Sequence, residues 1–208
     1  MKKTTEFDKL IYGLILAAGK SRRMKYPKPF LFYNQKTFVE HVVNNLIRAE
    51  IINNIIVITP DHKIFYEQLK LPKTSYVGNS HPERGMIESI QLGLKIIPPN
   101  IHGMFLTLVD HPFVLPSTYK LLRKHASIHP GKIIVPLFND QKGHPIFIPS
   151  CHFNSIVSLS KQERLDSYIK NKSSLFVEFI NCNDPGILCD IDSFFDYKNA
   201  LIQFQERN

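Results

Sequence analysis

Short runs that are apolar at nearly every position alternate along this chain with longer stretches whose apolar residues recur at helical spacing. Residues 11–17 form the first such run, broken only by Gly13, and 55–59, 104–109, 132–137 and 175–180 follow. Shorter strands are predicted at 75–77 and 145–148. Between them, Thr37 and Glu40 have the spacing of a capping box, opening a helix with Phe38, Val42, Leu46 and Ala49 on one face. Asn53-Asn54 should end that helix. Pro60-Asp61 should start another, with Ile64, Phe65, Gln68 and Leu69, and Gly85 should lead a loop into a third. Residues 116–126, a polar region after 148 and residues 194–204 are also predicted to be helical. Strands without polar alternation are those buried on both faces, so the pattern predicts an α/β fold in one domain, with a mostly parallel sheet covered on both sides.

Composition narrows the function classes. At 208 residues there is room for one sizeable core. No apolar run approaches the roughly 20 residues needed to cross a bilayer, so no membrane role is expected. The net charge of +8, from 26 basic and 18 acidic residues, favours an anionic partner. The basic residues are spread out, with no recognition motif and no aromatics interleaved with the basic loop, which argues against nucleic acid. Cys151, Cys182 and Cys189 form no C-x-x-C pair and are read as reduced thiols. Met1-Lys2-Lys3 and the following apolar run have the outline of an export signal. Glu6, Asp8 and Lys9 crowd it, however, and basic residues follow its small-residue end, so a cytoplasmic location is expected.

The stretch that changes the picture most is the end of the first run. Leu16-Ala17-Ala18-Gly19 passes directly into Lys20, Ser21, Arg22, Arg23, Met24 and Lys25, followed by Pro27-Lys28-Pro29. A buried strand opening into a small-residue turn and a cationic loop is an anion site, because backbone N–H groups can approach a phosphate closely there. Gly19-Lys20-Ser21 imitates the end of a Walker A loop, but position 14, which should be its first glycine, is Leu. Asp110 ends another buried strand and is a natural Mg²⁺ ligand beside such a loop, the alternative being a turn aspartate before Pro112. Asp190 and Asp192 would point to one side of an extended segment, unless Asp192 caps the last helix.

These residues resemble the signature of nucleotidyltransferases that activate small phosphorylated molecules with an NTP, in particular the molybdenum cofactor cytidylyl- and guanylyltransferase group. Leu16 to Met24 matches L-A-[AG]-G-x-S-x-R-M, with Lys28 as the lysine that follows; Lys25 departs from the usual Gly. Leu108-Val109-Asp110-His111-Pro112 resembles the metal motif L-x-D-x-P. Asp190-Ile191-Asp192-Ser193-Phe194-Phe195-Asp196 resembles [DN]-[IV]-D-T-P-x-D. Gly85, Met86 and Ser89 match a serine-bearing segment near the nucleotide, with Ile87 in place of its first Ser. Gly143-His144-Pro145 matches the region that receives the second substrate.

The resemblance implies a Rossmann-like three-layer sandwich of the nucleotide-diphospho-sugar transferase type. The implied reaction transfers an NMP from an NTP to a phosphorylated small molecule and releases pyrophosphate. It gives Arg23, Lys28 and Asp110 catalytic roles, and Mg²⁺ to Asp110 and Asp192. Leu16, Ala17, Ala18, Gly19, Ser21, Arg22, Lys28, Gly85 and Ser89 would bind the nucleotide. Ala18, where guanylyl-transferring relatives often have Gly, favours CTP. The acceptor could be molybdopterin, with an acceptor molybdoenzyme or chaperone as partner. It could also be another phosphorylated metabolite, since Pro27-Lys28-Pro29-Phe30 and Glu88-Ser89 also resemble methylerythritol phosphate cytidylyltransferases. Lys25 and Ile87 motivate a further alternative, a nucleotide-binding regulator without turnover.

Overall fold

The computed structural model describes residues 10–21, 23–24, 26–172 and 175–205. In chain order the elements are β1 (Ile11–Ala17), β2 (Phe32–Tyr33), β3 (Lys36–Thr37), α1 (Phe38–Arg48), β4 (Asn53–Ile58), α2 (Lys63–Leu69) and β5 (Thr74–Gly78). Next come α3 (Met86–Ile96), β6 (Gly103–Leu108), α4 (Pro116–Ile128), β7 (Ile133–Phe138), β8 (Gln141–Lys142) and β9 (Ile146–Pro149). The last are α5 (Phe153–Val157), α6 (Leu165–Lys170), β10 (Val177–Asn181) and α7 (Phe194–Gln203).

The main sheet has the order β10-β7-β9-β6-β1-β4-β5, with β8 on β7, and β1 lies between β6 and β4. β1 is parallel to both neighbours, with Ile15 opposite Ile56 on one side and Thr107 on the other. β4–β5 and β7–β10 are also parallel pairs, while β9 runs against β6 and β7, and β8 against β7. That reversal follows from the short connection after β7, which can close a hairpin but cannot cross over to a parallel neighbour.

Strand alternation divides β1 between two cores. Ile11, Ile15 and Ala17 join one cluster with α1, α2 and α4, while Leu14 and Leu16 join another with α3, α5 and α6. Helices therefore cover both faces of the sheet, as its uninterrupted apolar strands require. α3 lies very close to β1, since a Cβ on Gly93 would come within 2.2 Å of Leu14 Cδ1. This close approach packs the second half of α3 onto the middle of β1. A third cluster of Met24, Leu31, Tyr33, Phe38, Phe113 and Phe204 anchors the loop after β1 against the α7 region, with Phe113 and Phe204 stacked 4.4 Å apart.

The capping box of α1 is present, with Thr37 accepting from Glu40 N–H and Glu40 accepting in return. Two local expectations change. Asn54 is not a breaker: it is a buried residue inside β4, and the left-handed backbone that follows α1 is at Glu50 (φ 68°). In α2 the buried residue is Tyr66, while Ile64 and Phe65 are exposed. Tyr66 packs between Phe30 and Tyr76, contacts from distant segments that helical spacing alone cannot rank.

Candidate active site

Parallel strands bring their carboxyl ends to one edge of a sheet, and there β1 and β6 open a cleft of about 440 Å³. Leu16, Ala17 and Ala18 form its floor at the end of β1, followed by Gly19 and Ser21, and Gly85 and Ser89 line it from the start of α3. Arg23, Lys28, Asp110 and Asp192 complete the wall. Arg22 and Lys25, also singled out from the sequence, lie outside the described residues.

The loop is held by contacts of its own. Ser21 has a left-handed backbone (φ 45°), its carbonyl accepts from Met24 N–H, and its Oγ accepts from Lys28 N–H at 3.1 Å. Met24 is buried in the third cluster. A Cβ on Gly19 would meet nothing within 4 Å, so the protein itself leaves open space over this turn. Gly85, in a positive-φ conformation (91°), is the N-cap of α3 and uses the backbone freedom that only glycine has without strain. Ser89 is buried and its Oγ accepts from Asn79 Nδ2 at 2.9 Å. Asn79 thus orients Ser89. That link joins the end of β5 to α3 and has no signature in the chain.

At the centre is Lys28. Its Nζ donates to Asp110 Oδ2 at 2.8 Å and to Asp192 Oδ1 at 2.7 Å, and lies 3.8 Å from Asp190 Oδ1. Arg23 reaches the other oxygen of Asp192. Asp110 is fixed on both sides, since its Oδ1 faces His111 Nδ1 at 3.3 Å and its carbonyl accepts from Ile191 N–H. Burial would raise the Asp110 carboxyl, but the hydrogen bond and charge of His111, then of Lys28, outweigh it and hold the group well below the usual carboxylate range. Burial would lower Lys28, yet Asp110 and Asp192 raise it above the ordinary lysine value. The hydrogen bond from Lys28 holds Asp192 down. Asp190 differs: burial, then the charge of Asp110, pushes it up to about 6. The helix cap expected as one option for Asp192 belongs instead to Ser193, in a capping box with Asp196, which leaves Asp192 facing the two cations.

Gly143, His144 and Pro145 lie apart from this cleft, and the first two line a second one of about 290 Å³ together with Lys142, Asp166, Lys170 and Phe179. Gly143 is required by a close approach, because a Cβ there would fall 2.4 Å from the Ile187 carbonyl oxygen, which accepts from His144 N–H. The His144–Pro145 peptide is cis. His144 is not an idle surface residue: burial, then the proximity of His111, pushes it down to about 4. Its ring lies 5.5 Å from that of His111, and His111 touches Asp110, so the two clefts are joined through this pair.

A parallel-sheet edge that unites a small-residue loop, convergent carboxylates and a half-buried lysine is the site of a nucleotidyltransferase. Residues 13–175 match the model of the MobA-like NTP transferase domain, and the chain belongs to that family. A protein of Natranaerobius thermophilus named "Probable molybdenum cofactor guanylyltransferase" is 24% identical over 194 residues, covering 84% of this chain and 91% of that one. A nucleotidyl transferase from Methanothermobacter has the same fold, with a TM-score of 0.81 at 17% identity over 96% of this chain and 99% of that one. Rv0371c from Mycobacterium tuberculosis, solved in complex with manganese, gives 0.72 at 21% identity over 93% and 98%.

Proposed function

We propose that this chain transfers a nucleotidyl group, CMP in preference to GMP, from an NTP to a phosphate of molybdopterin. The observation that carries the reading is the ammonium of Lys28 held among Asp110, Asp190 and Asp192 at the mouth of the loop after β1. An oxygen of the acceptor phosphate attacks the α-phosphorus of the NTP, the bond from that phosphorus to the β-phosphate oxygen breaks, and pyrophosphate leaves. Such transfers rest on positioning and charge neutralisation rather than on a protein nucleophile. The open turn at Gly19 receives the phosphates. Lys28 and Arg23 supply cationic charge where negative charge builds, and Ser21 keeps Lys28 in place. His111 orients Asp110, and the cleft beside Gly143, His144 and Pro145, with Lys142 and Lys170 on its wall, receives the anionic acceptor.

The donor set suits a hard divalent cation, because the groups that converge on the ammonium are carboxylate oxygens, which is what Mg²⁺ selects. Asp110 and Asp192 would hold Mg²⁺, which would neutralise charge on the phosphate oxygens of both substrates. The manganese complex of Rv0371c is in keeping with a divalent ion here.

The preference for CTP rests on Ala18, which is buried and lines the cleft. A methyl group beside the passage of the base costs a purine more than a pyrimidine, and one methyl is worth about 10–200-fold in selectivity. Titration with Mg²⁺ present should give tighter binding of CTP than of GTP, with Ala18→Gly narrowing the gap. Tighter GTP binding by the wild type would move the chain to the guanylyl-transferring side, where its Natranaerobius relative is named.

A further inference from the structure

Among the described residues, one group of metal-ligating side chains lies outside the active site. His125 and His129 sit one turn apart near the end of α4 and face Glu178 of β10, and one ligand atom from each lies within 4.8 Å of the others. Glu178 Oε1 is 3.1 Å from His125 Nδ1, and Glu178 Oε2 is 3.5 Å from His129 Nε2. The two imidazole planes are inclined by only 20°. We propose that His125, His129 and Glu178 form a Zn²⁺ site that pins the last turns of α4 to the edge strand β10.

Three observations carry this. His129 is the C-cap of α4 and its N–H donates to the His125 carbonyl, which sets the two residues one turn apart at the end of the helix, where Glu178 meets both. Bonds of about 2.0–2.2 Å at tetrahedral angles separate two ligand atoms by roughly 3.3–3.5 Å, and each histidine nitrogen lies near that distance from one of the two carboxylate oxygens, 3.1 Å from Oε1 and 3.5 Å from Oε2. Finally, Glu178 Oε2 is buried without a hydrogen bond, an unsatisfied acceptor that a cation would satisfy. Two imidazoles and one carboxylate make a borderline donor set, which selects Zn²⁺ over Mg²⁺ or Ca²⁺. The histidine side chains remain partly exposed, at 29% and 39%, which leaves solvent access for a fourth ligand.

The position sets the consequence. Glu178 pairs with Ile134 near the start of β7, at the end of the sheet opposite the loop after β1. A metal there takes no part in the chemistry of the nucleotide cleft. It closes a span of 53 residues that holds β7, β9, α5 and α6, including the wall of the cleft beside His144. Binding to the native state alone raises its stability by mass action.

The test is a titration of untagged, chelator-stripped protein with Co²⁺, read by the visible absorption of a four-coordinate site, followed by competition with Zn²⁺ and by thermal unfolding. We expect one equivalent of the four-coordinate signal, displaced by Zn²⁺, together with a rise in melting temperature. Asp110→Asn, which removes a member of the other candidate cluster of Asp110, His111 and Asp190, should keep both signals. His129→Ala should abolish them, and Glu178→Gln, which keeps the shape of the side chain, should weaken Co²⁺ binding at least tenfold. Unchanged Co²⁺ affinity in Glu178→Gln, loss of the signal in Asp110→Asn, or no equivalent bound by the wild type at micromolar Zn²⁺ would each overturn the assignment.

Discussion

Replacing Lys28 with Ala is expected to reduce kcat by about 10²–10³-fold, the usual cost of removing one group aimed at developing charge. The same change should make the fold depend on divalent metal. In the wild type the ammonium sits 2.7–2.8 Å from two carboxylates and 3.8 Å from a third. Without it, Asp192 keeps Arg23 and Asp110 keeps His111, but the three carboxylates lose the one cation they share, and like charges at that range repel in a partly buried setting. Melting of Lys28→Ala in chelator should therefore fall below that of the wild type and recover with Mg²⁺, while turnover stays low. Pyrophosphate release and melting curves, each with and without Mg²⁺, separate the two effects. An unchanged kcat/KM would remove Lys28 from the site.

Asp110→Asn should lose at least about 10²-fold in activity at sub-saturating Mg²⁺, because an amide keeps the shape of the group but not the charge that holds the cation. It should remain folded, since Lys28 retains its bond to Asp192. Its stability against acid should change as well. The Asp110 carboxyl is depressed below its ordinary value of 3.8 in the folded protein. Its contribution to stability is thus fully present above the unfolded value and is lost as pH falls through the folded one. Replacement by Asn removes that pH-dependent part, so the gap between wild type and variant should shrink below about pH 4. Acid titration followed by circular dichroism checks this. A variant that turns over normally at low Mg²⁺ would make Asp110 a turn residue.

The parts of this structure that were legible in the chain are those written in neighbouring residues. Nearly continuous apolar runs located β1, β4, β6 and β7, and Thr37 with Glu40 located the start of α1. The family signature tied the loop after β1 to Asp110, two segments that the parallel β1–β6 pair brings side by side. What could not be read depends on partners far along the chain. Tyr66 is the core residue of α2 because Phe30 and Tyr76 meet it there, although Ile64 and Phe65 are just as apolar. Asn54 looked like a helix breaker and is a strand residue. Asp192 was read from the sequence as a possible cap of the last helix. The fold places Lys28 and Arg23 opposite Asp192 and leaves the capping to Ser193. Likewise nothing local announces that His144 would be enclosed beside His111.

The central claim is that the cleft at the end of β1 transfers a nucleotidyl group with Lys28 at its heart. Pyrophosphate release from CTP and from GTP, with molybdopterin as acceptor and Mg²⁺ present, tests it most directly when wild type and Lys28→Ala are run side by side. The account predicts release that needs both substrates, is faster with CTP, and falls by about 10²–10³-fold in Lys28→Ala. Folded wild-type protein that releases no pyrophosphate from either nucleotide, or releases it equally well without Lys28, would contradict it.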